Sequence, residues 1–229
     1  MNPIIKVIIP AYNEERSIGH VINDIPQEWV SETIVVDNGS KDKTSDIATA
    51  NGAKVLYQPL PGYGNACLMG IDYLKNSESK PDIVVFMDGD YSDYPAQLIQ
   101  VIQPILNDQA DFVIGSRALG NRESGSMTFP QVFGNWLATS MMRWFYGISY
   151  TDLGPFRAIR FKDLVNIDMQ DKTFGWTVEM QIKAAKHKLR TTEVAVNYKK
   201  RIGVSKVSGT VKGTILAGYK IIFTIFKYL

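Results

Sequence analysis

An α/β fold, with a mostly parallel sheet flanked by helices, is predicted by two patterns in this chain. Short apolar runs alternate with segments of helical period, joined by turns of a few residues. Several runs also stop abruptly at acids: Val35-Val36 at Asp37-Asn38-Gly39, and Ile83-Val84-Val85-Phe86-Met87 at Asp88-Gly89-Asp90. A run that is apolar throughout suits a strand buried on both faces, and open α/β sheets bind ligands at the C-terminal ends of their strands.

The elements follow in order. Lys6-Val7-Ile8-Ile9 reads as the first strand, ended by Pro10, which cannot donate to a ladder. Asn13 is placed as the N-cap of a helix to about Ile25, with Glu14 and Glu15 in its first turn and Ile18, Val21, Ile22 and Ile25 at helical spacing. Residues 33–36 form a second strand, 43–50 a short helix and 53–57 a third strand. The glycine-bearing loop at 61–65 opens a helix with Cys67, Leu68, Ile71 and Leu74 on one face, and 83–87 is the fourth strand. Pro95 lies near the start of a helix to about Leu106, and 112–115 is the fifth strand.

The second half reads less regularly. Residues 118–130 are expected to form a loop beside the ligand edge that acts as a lid. Residues 132–148 carry Phe133, Trp136, Trp144, Phe145 and Tyr146, which suits core packing or contact with an apolar substrate or membrane. Asp152-Leu153-Gly154-Pro155-Phe156-Arg157 is a turn into a short extended segment. A helix opens near Trp176 and runs through Ala185, and 192–198 is the last strand. From about Ser208 to Leu229 a helix is apolar over most of its girth, with only Lys220, Thr224 and Lys227 as a polar stripe. It suits either the membrane interface or a homodimer seam. The chain thus divides into a catalytic-type domain at 1–207 and an amphipathic helix at 208–229.

Composition narrows the classes. With 229 residues and 45% apolar content the chain can build a large core. Its 25 basic and 23 acidic residues leave a net charge of +2, which gives no global attraction to nucleic acid. The single cysteine, Cys67, excludes an internal disulfide framework and argues against a cysteine-based zinc site. No leader-like segment opens the chain, so a cytoplasmic protein is expected, peripheral on the inner face of the membrane if the last helix lies on a bilayer.

Asp88 and Asp90 repel one another unless a cation sits nearby. Hard oxygen ligands suit Mg²⁺ or Mn²⁺, which keep several waters and bridge to substrate phosphates. A strand-ending turn with solvated aspartates is the plainer alternative.

Three segments taken together carry a resemblance: Pro10-Ala11-Tyr12-Asn13-Glu14-Glu15, Asp37-Asn38-Gly39-Ser40, and Asp88-Gly89-Asp90, with Gly115-Ser116-Arg117 after them. This set resembles the family 2 glycosyltransferases of the GT-A (Rossmann-like) fold, inverting enzymes that use a nucleotide-sugar and a divalent metal. Gly154-Pro155-Phe156-Arg157, Trp176-Thr177-Val178-Glu179 and Arg201-Ile202-Gly203-Val204-Ser205-Lys206 are similar to segments of the polyprenyl-phosphate sugar transferases of the dolichol-phosphate mannose synthase type. The resemblance implies that Pro10, Ala11, Tyr12 and Glu14 line the nucleotide and that Asp37 accepts hydrogen bonds from the base. It implies that Gly64 lets backbone approach the nucleotide, and that Asp88 and Asp90 serve the ribose and the metal.

To hold the departing diphosphate and an acceptor phosphate in line, Arg117, Arg157, Arg201 and Lys206 are the nominated cations, with Arg117 and Arg157 counted beside Asp90 as catalytic. Gln131 stands where relatives often carry an arginine, with Arg122 as a substitute. A phosphate acceptor needs no strong base; a sugar hydroxyl would need one, and Glu179 or Asp152 is then the candidate. Three readings stay open: transfer of a hexose from a UDP- or GDP-sugar to a polyprenyl phosphate, transfer to a saccharide or small-molecule hydroxyl, and a non-catalytic nucleotide-binding scaffold.

Overall fold

The computed structural model describes residues 3–203 and 211–229, with side chains left aside at 211 and 212. Lys206 and the expected helix start at Ser208 lie outside the described residues. Seven strands form one sheet: β1 (Ile5–Ala11), β2 (Glu32–Asp37), β3 (Lys54–Tyr57), β4 (Ile83–Phe86), β5 (Phe112–Ser116), β6 (Arg157–Arg160) and β7 (Thr191–Ala195). Their order is β3-β2-β1-β4-β6-β5-β7, and every neighbouring pair is parallel except those made by β6, which runs antiparallel to β4 and β5. The sheet is therefore mostly parallel, as the continuous apolar runs predict.

Alternate strand residues feed two cores. Ile8, Ile34, Val84, Phe86 and Phe112 pack under α3 (Tyr63–Asn76), α5 (Phe129–Tyr146), α7 (Trp176–Lys186) and α8 (Val211–Lys227). Val7, Ile9, Val35, Val85 and Val113 pack under α1 (Ile18–Asp24) and α4 (Leu98–Leu106), with Ala48 of α2 (Thr44–Ala50). A short helix, α6 (Phe161–Asn166), follows β6.

Several expected boundaries move. β1 continues through Pro10 to Ala11, because β1 pairs with β4 only as far as Ile8 and leaves Pro10 beyond that ladder. Asn13 is not a helix cap: it lies in the left-handed region at φ 54, and α1 begins only at Ile18. The aromatic segment is one helix, α5, that starts three residues earlier than expected and closes at Gly147 in the left-handed conformation.

The largest surprise is α8. Two of its three polar residues face inward while Lys227 stays exposed: Lys220 pairs with Asp171 at 2.9 Å, and Thr224 is 1% exposed against Gly175, where an added Cβ would meet the threonine Oγ1 at 2.3 Å. Tyr228 donates to Glu179 at 2.6 Å, and Tyr146 of α5 donates to the Ile225 carbonyl. Ile215, Tyr219, Phe223 and Phe226 face outward instead. The helix is docked on the catalytic body along α5 and α7 with its greasy side turned away.

Candidate active site

The C-terminal ends of β1, β2 and β4 converge on a cavity of about 520 Å³. Pro10 and Ala11 enter it from the last residues of β1, Tyr12 and Glu14 from the turn that follows, Asn38 and Gly39 after β2, and Asp88, Gly89 and Asp90 after β4. A second cavity of about 330 Å³ opens between α5 and α8, with Arg117, Asn135 and Tyr198 among its polar lining and Pro130, Leu153, Pro155 and Ile221 among its apolar lining. Tyr63, Asp88, Asp90, Phe174 and Arg201 line both, so the paired carboxylates stand at the junction.

The turns that hold the first cavity are tied by side chains. Asn13 Oδ1 accepts the Lys41 N–H at 2.8 Å, Ser40 Oγ accepts the Asn13 N–H at 2.9 Å, and Thr44 Oγ1 accepts the Glu14 N–H at 2.8 Å. These bonds join the segments after β1 and β2. Asp37 belongs to this framework: it is 4% exposed, and its oxygens accept from the Ser40 N–H at 2.8 Å and from the Ser45 hydroxyl. In this conformation Asp37 serves the turn, and its neighbours Asn38 and Gly39 line the cavity in its place.

At the junction Asp90 Oδ1 accepts from the Ser92 N–H at 2.9 Å and from the Ser92 hydroxyl, while Oδ2 pairs with Arg201 Nη1 at 3.1 Å. Arg201 Nη2 pairs with Glu14 Oε1 at 3.0 Å. Asp88 Oδ1 is buried with no hydrogen-bond partner among the described residues. Burial first, and then the neighbouring Asp90, push the Asp88 carboxyl up to about 7. An orphaned carboxylate oxygen beside a second carboxylate fits a hard divalent cation. Among the described residues no group of three acidic, histidine or cysteine side chains is arranged to hold a metal ion, so Mg²⁺ or Mn²⁺ would draw its remaining ligands from waters and a diphosphate.

Four predicted site residues sit elsewhere than expected. Arg157 is fully buried and donates to the carbonyls of Gly154 at 3.1 Å, Leu153 at 3.2 Å and Thr177 at 3.0 Å. Burial pulls it down to about 10; it holds the floor beneath the second cavity and lines neither cavity. Glu179 is likewise fully buried, accepting from the backbone of Gln170 at 2.9 Å and Asp171 at 2.6 Å and pairing with Lys183 at 2.9 Å. It anchors the 170–171 loop and α8 rather than facing a substrate. Gly64 admits the backbone of Asp171, whose oxygen would lie 2.0 Å from an added Cβ, not a nucleotide. Arg122 is exposed, donates to the Met127 sulfur at 3.5 Å and lines neither cavity.

Besides Arg201, two more of the residues nominated for the acceptor reach the second cavity. Gln131 lines it, with Oε1 accepting the Thr128 N–H at 2.7 Å in a capping box that starts α5. Arg117 lines it while clamped on Asp152, with Nε and Nη2 each 2.7 Å from a carboxylate oxygen and the guanidinium 5.0 Å from the centre of the Tyr198 ring. Burial would raise Asp152, but Arg117 outweighs it and holds this carboxyl below its ordinary value.

One residue escaped the sequence reading. Asp93 is 1% exposed with both carboxylate oxygens unpartnered among the described residues, and burial, then Asp88 and Asp90, hold it well above the usual carboxylate range. Its signal was a third acid three residues beyond Asp90, in a stretch where the Asp-Gly-Asp pair drew the attention.

Residues 6–167 match Glycosyl transferase family 2. The chain belongs to that family. It is 32% identical over 216 residues to an uncharacterized glycosyltransferase of Mycobacterium tuberculosis, covering 93% of this chain and 94% of that protein. It is 31% identical over 221 residues to the undecaprenyl-phosphate mannosyltransferase of Micrococcus luteus, covering 90% and 88%. To the UDP-N-acetylglucosamine–dolichyl-phosphate N-acetylglucosaminyltransferase of Methanococcus voltae it is 32% identical over 216 residues, covering 84% of each. The chain is thus similar to polyprenyl-phosphate sugar transferases. Its fold matches that of glucosyl-3-phosphoglycerate synthase from Mycobacterium tuberculosis, solved with Mn²⁺, UDP-glucose and phosphoglyceric acid, at a TM-score of 0.77 and 22% identity over 99% of this chain and 79% of that one.

Proposed function

We propose that this family 2 transferase moves a hexose, with inversion, from a UDP- or GDP-sugar to the phosphate of a polyprenyl carrier at a membrane surface. The observation that carries the reading is the second cavity. It has Arg117 and Arg201 in its lining, it meets the first cavity at Asp88 and Asp90, and it opens between α5 and α8. The two helices that flank that opening, α5 and α8, carry exposed rings: Phe129 (81% exposed), Trp136 (59%), Trp144 (83%) and Tyr219 (67%). Aromatic faces of this kind suit the headgroup region of a bilayer, where a lipid tail would leave the site. No helix among the described residues is long and apolar enough to cross a membrane, so the contact would be peripheral.

The engaged carboxylates support a phosphate acceptor. Glu179 is surrounded by donors, and Asp152 is clamped by Arg117, so neither base candidate is available to a sugar hydroxyl. A phosphate is already an anion at neutral pH and needs charge and alignment instead. Arg117 and Arg201 would supply the charge, and the rigid turns after β1, β2 and β4 would hold the donor. Asp88 and Asp90 would hold a divalent cation, whose chemistry is to neutralise charge on the departing diphosphate. Asn38, Gly39 and Tyr57 line the cavity where the nucleoside would sit.

The test is transfer of radiolabelled sugar from a panel of UDP- and GDP-hexoses, with Mn²⁺ or Mg²⁺, to polyprenyl phosphate in vesicles or to phosphoglycerate in solution. Label entering the lipid phase supports the reading. Label entering only the soluble acceptor overturns the lipid assignment, and no turnover of any donor favours the scaffold.

A further inference from the structure

Arg201 holds an unusual place at the junction of the two cavities. Its guanidinium bridges Glu14 at 3.0 Å and Asp90 at 3.1 Å, and it lines both cavities. The backbone around it is strapped to the same turn: Ile202 N–H donates to the Asp90 carbonyl at 3.0 Å and Lys199 N–H to the Ser92 carbonyl at 2.9 Å. The two donors on Asp90 Oδ1 come from Ser92, two residues along the same turn, and move with it. The partner of Oδ2 is the end of a long side chain, which can rotate away without unmaking the strap. A cation settling between Asp88 and Asp90 meets this guanidinium at the oxygen it needs, and like charges at such range repel strongly.

We propose that Arg201 is the resident counter-ion of the donor carboxylates and competes with the divalent metal for Asp90. Metal alone then binds poorly. A metal arriving with a diphosphate brings the negative charge that offsets the guanidinium, and the displaced Arg201 swings to the acceptor cavity it already lines. The move toward the acceptor cavity rests on the phosphate-acceptor reading above; the competition at Asp90 does not.

Mn²⁺ binding to the whole chain, followed by electron paramagnetic resonance without nucleotide or acceptor, tests the competition directly. Arg201→Gln is expected to bind Mn²⁺ at least about tenfold tighter than wild type, with Arg201→Lys, which keeps the charge, close to wild type. Lys199→Gln removes a nearby charge that rests on the Tyr91 ring instead of on Asp90, and should leave Mn²⁺ affinity unchanged. Equal or weaker binding by Arg201→Gln overturns the proposal, as does an equal gain in Lys199→Gln, which would make the effect one of overall charge. Should Arg201→Gln fail to fold, the Arg201 side-chain nitrogen resonances of the wild type give a second reading on titration with Mg²⁺ and a nucleoside diphosphate. Loss of the bridged signal supports exchange, and an unmoved signal at saturation overturns it. Neither readout involves sugar transfer, so a failure of the lipid-phosphate assignment leaves them intact.

Discussion

The two cavities of this molecule are built by opposite means. At the first, side chains emerge from the ends of β1, β2 and β4, and parallel ladders fix where each strand stops. At the second, two helices make the opening, and α8 reverses the usual arrangement by turning Lys220 and Thr224 inward and Tyr219 and Phe223 outward. A strand-end site is specified locally, by residues adjacent in sequence. A helix-lined site is specified by which face each helix presents, and that depends on partners far along the chain.

The comparison breaks most readily at the junction. Asp90→Asn should lower the transfer rate about 10³-fold or more, equivalent to ~4 kcal/mol, because it weakens the ion site at the departing diphosphate. Initial rates at saturating Mn²⁺ measure it, and a loss under tenfold would mean that Asp90 does not handle the leaving group. Next in size is Glu179→Gln. Removing a charge that receives two backbone N–H groups, Tyr228 and Lys183 should cost about 2–3 kcal/mol of stability. Turnover below the melting transition should stay within about threefold of wild type. A large kcat loss with unchanged melting would restore Glu179 as a base.

Smaller effects sharpen the contrast at the second cavity. The double variant Tyr219→Ser with Phe223→Ser should weaken binding to lipid vesicles about tenfold or more while solution stability moves by only about 0.5 kcal/mol, because both rings are exposed. Cosedimentation and thermal melting read the two separately. The smallest effect belongs to Asp88→Asn in the metal-free protein. Burial and Asp90 raise Asp88 to about 7 in the folded state, so the wild type loses stability as pH climbs from about 4 through 7, while the amide does not. At pH 8 the variant should melt at a higher temperature than the wild type, a difference that closes near pH 4, even as donor binding is lost.

The contrast also explains what was legible in the sequence. Asp88 and Asp90 could be read because their strand end stands in order with the Pro10–Glu15 and Asp37–Ser40 segments; the run alone suits a solvated turn equally well. The sheet followed from the same runs, apart from β6, whose antiparallel insertion between β4 and β5 leaves no local mark. Arg157 and Glu179 could not be read correctly: a charged side chain bonded to buried carbonyls or N–H groups looks the same in sequence as one aimed at substrate. The wheel of α8 was drawn correctly as apolar with a polar stripe. What it could not show was that Asp171 and Gly175 wait inside for that stripe.

A phosphate acceptor would bring its own negative charge and leave the protein no need of a general base. Polyprenyl phosphate compared with the matching polyprenol in identical vesicles, with the same nucleotide-sugar and Mn²⁺, tests this. Transfer to the phosphate, with the alcohol slower by about 10³-fold or more, is the result predicted. Comparable rates on the two acceptors would contradict it, because an alcohol acceptor requires a base that neither Glu179 nor Asp152 is placed to provide.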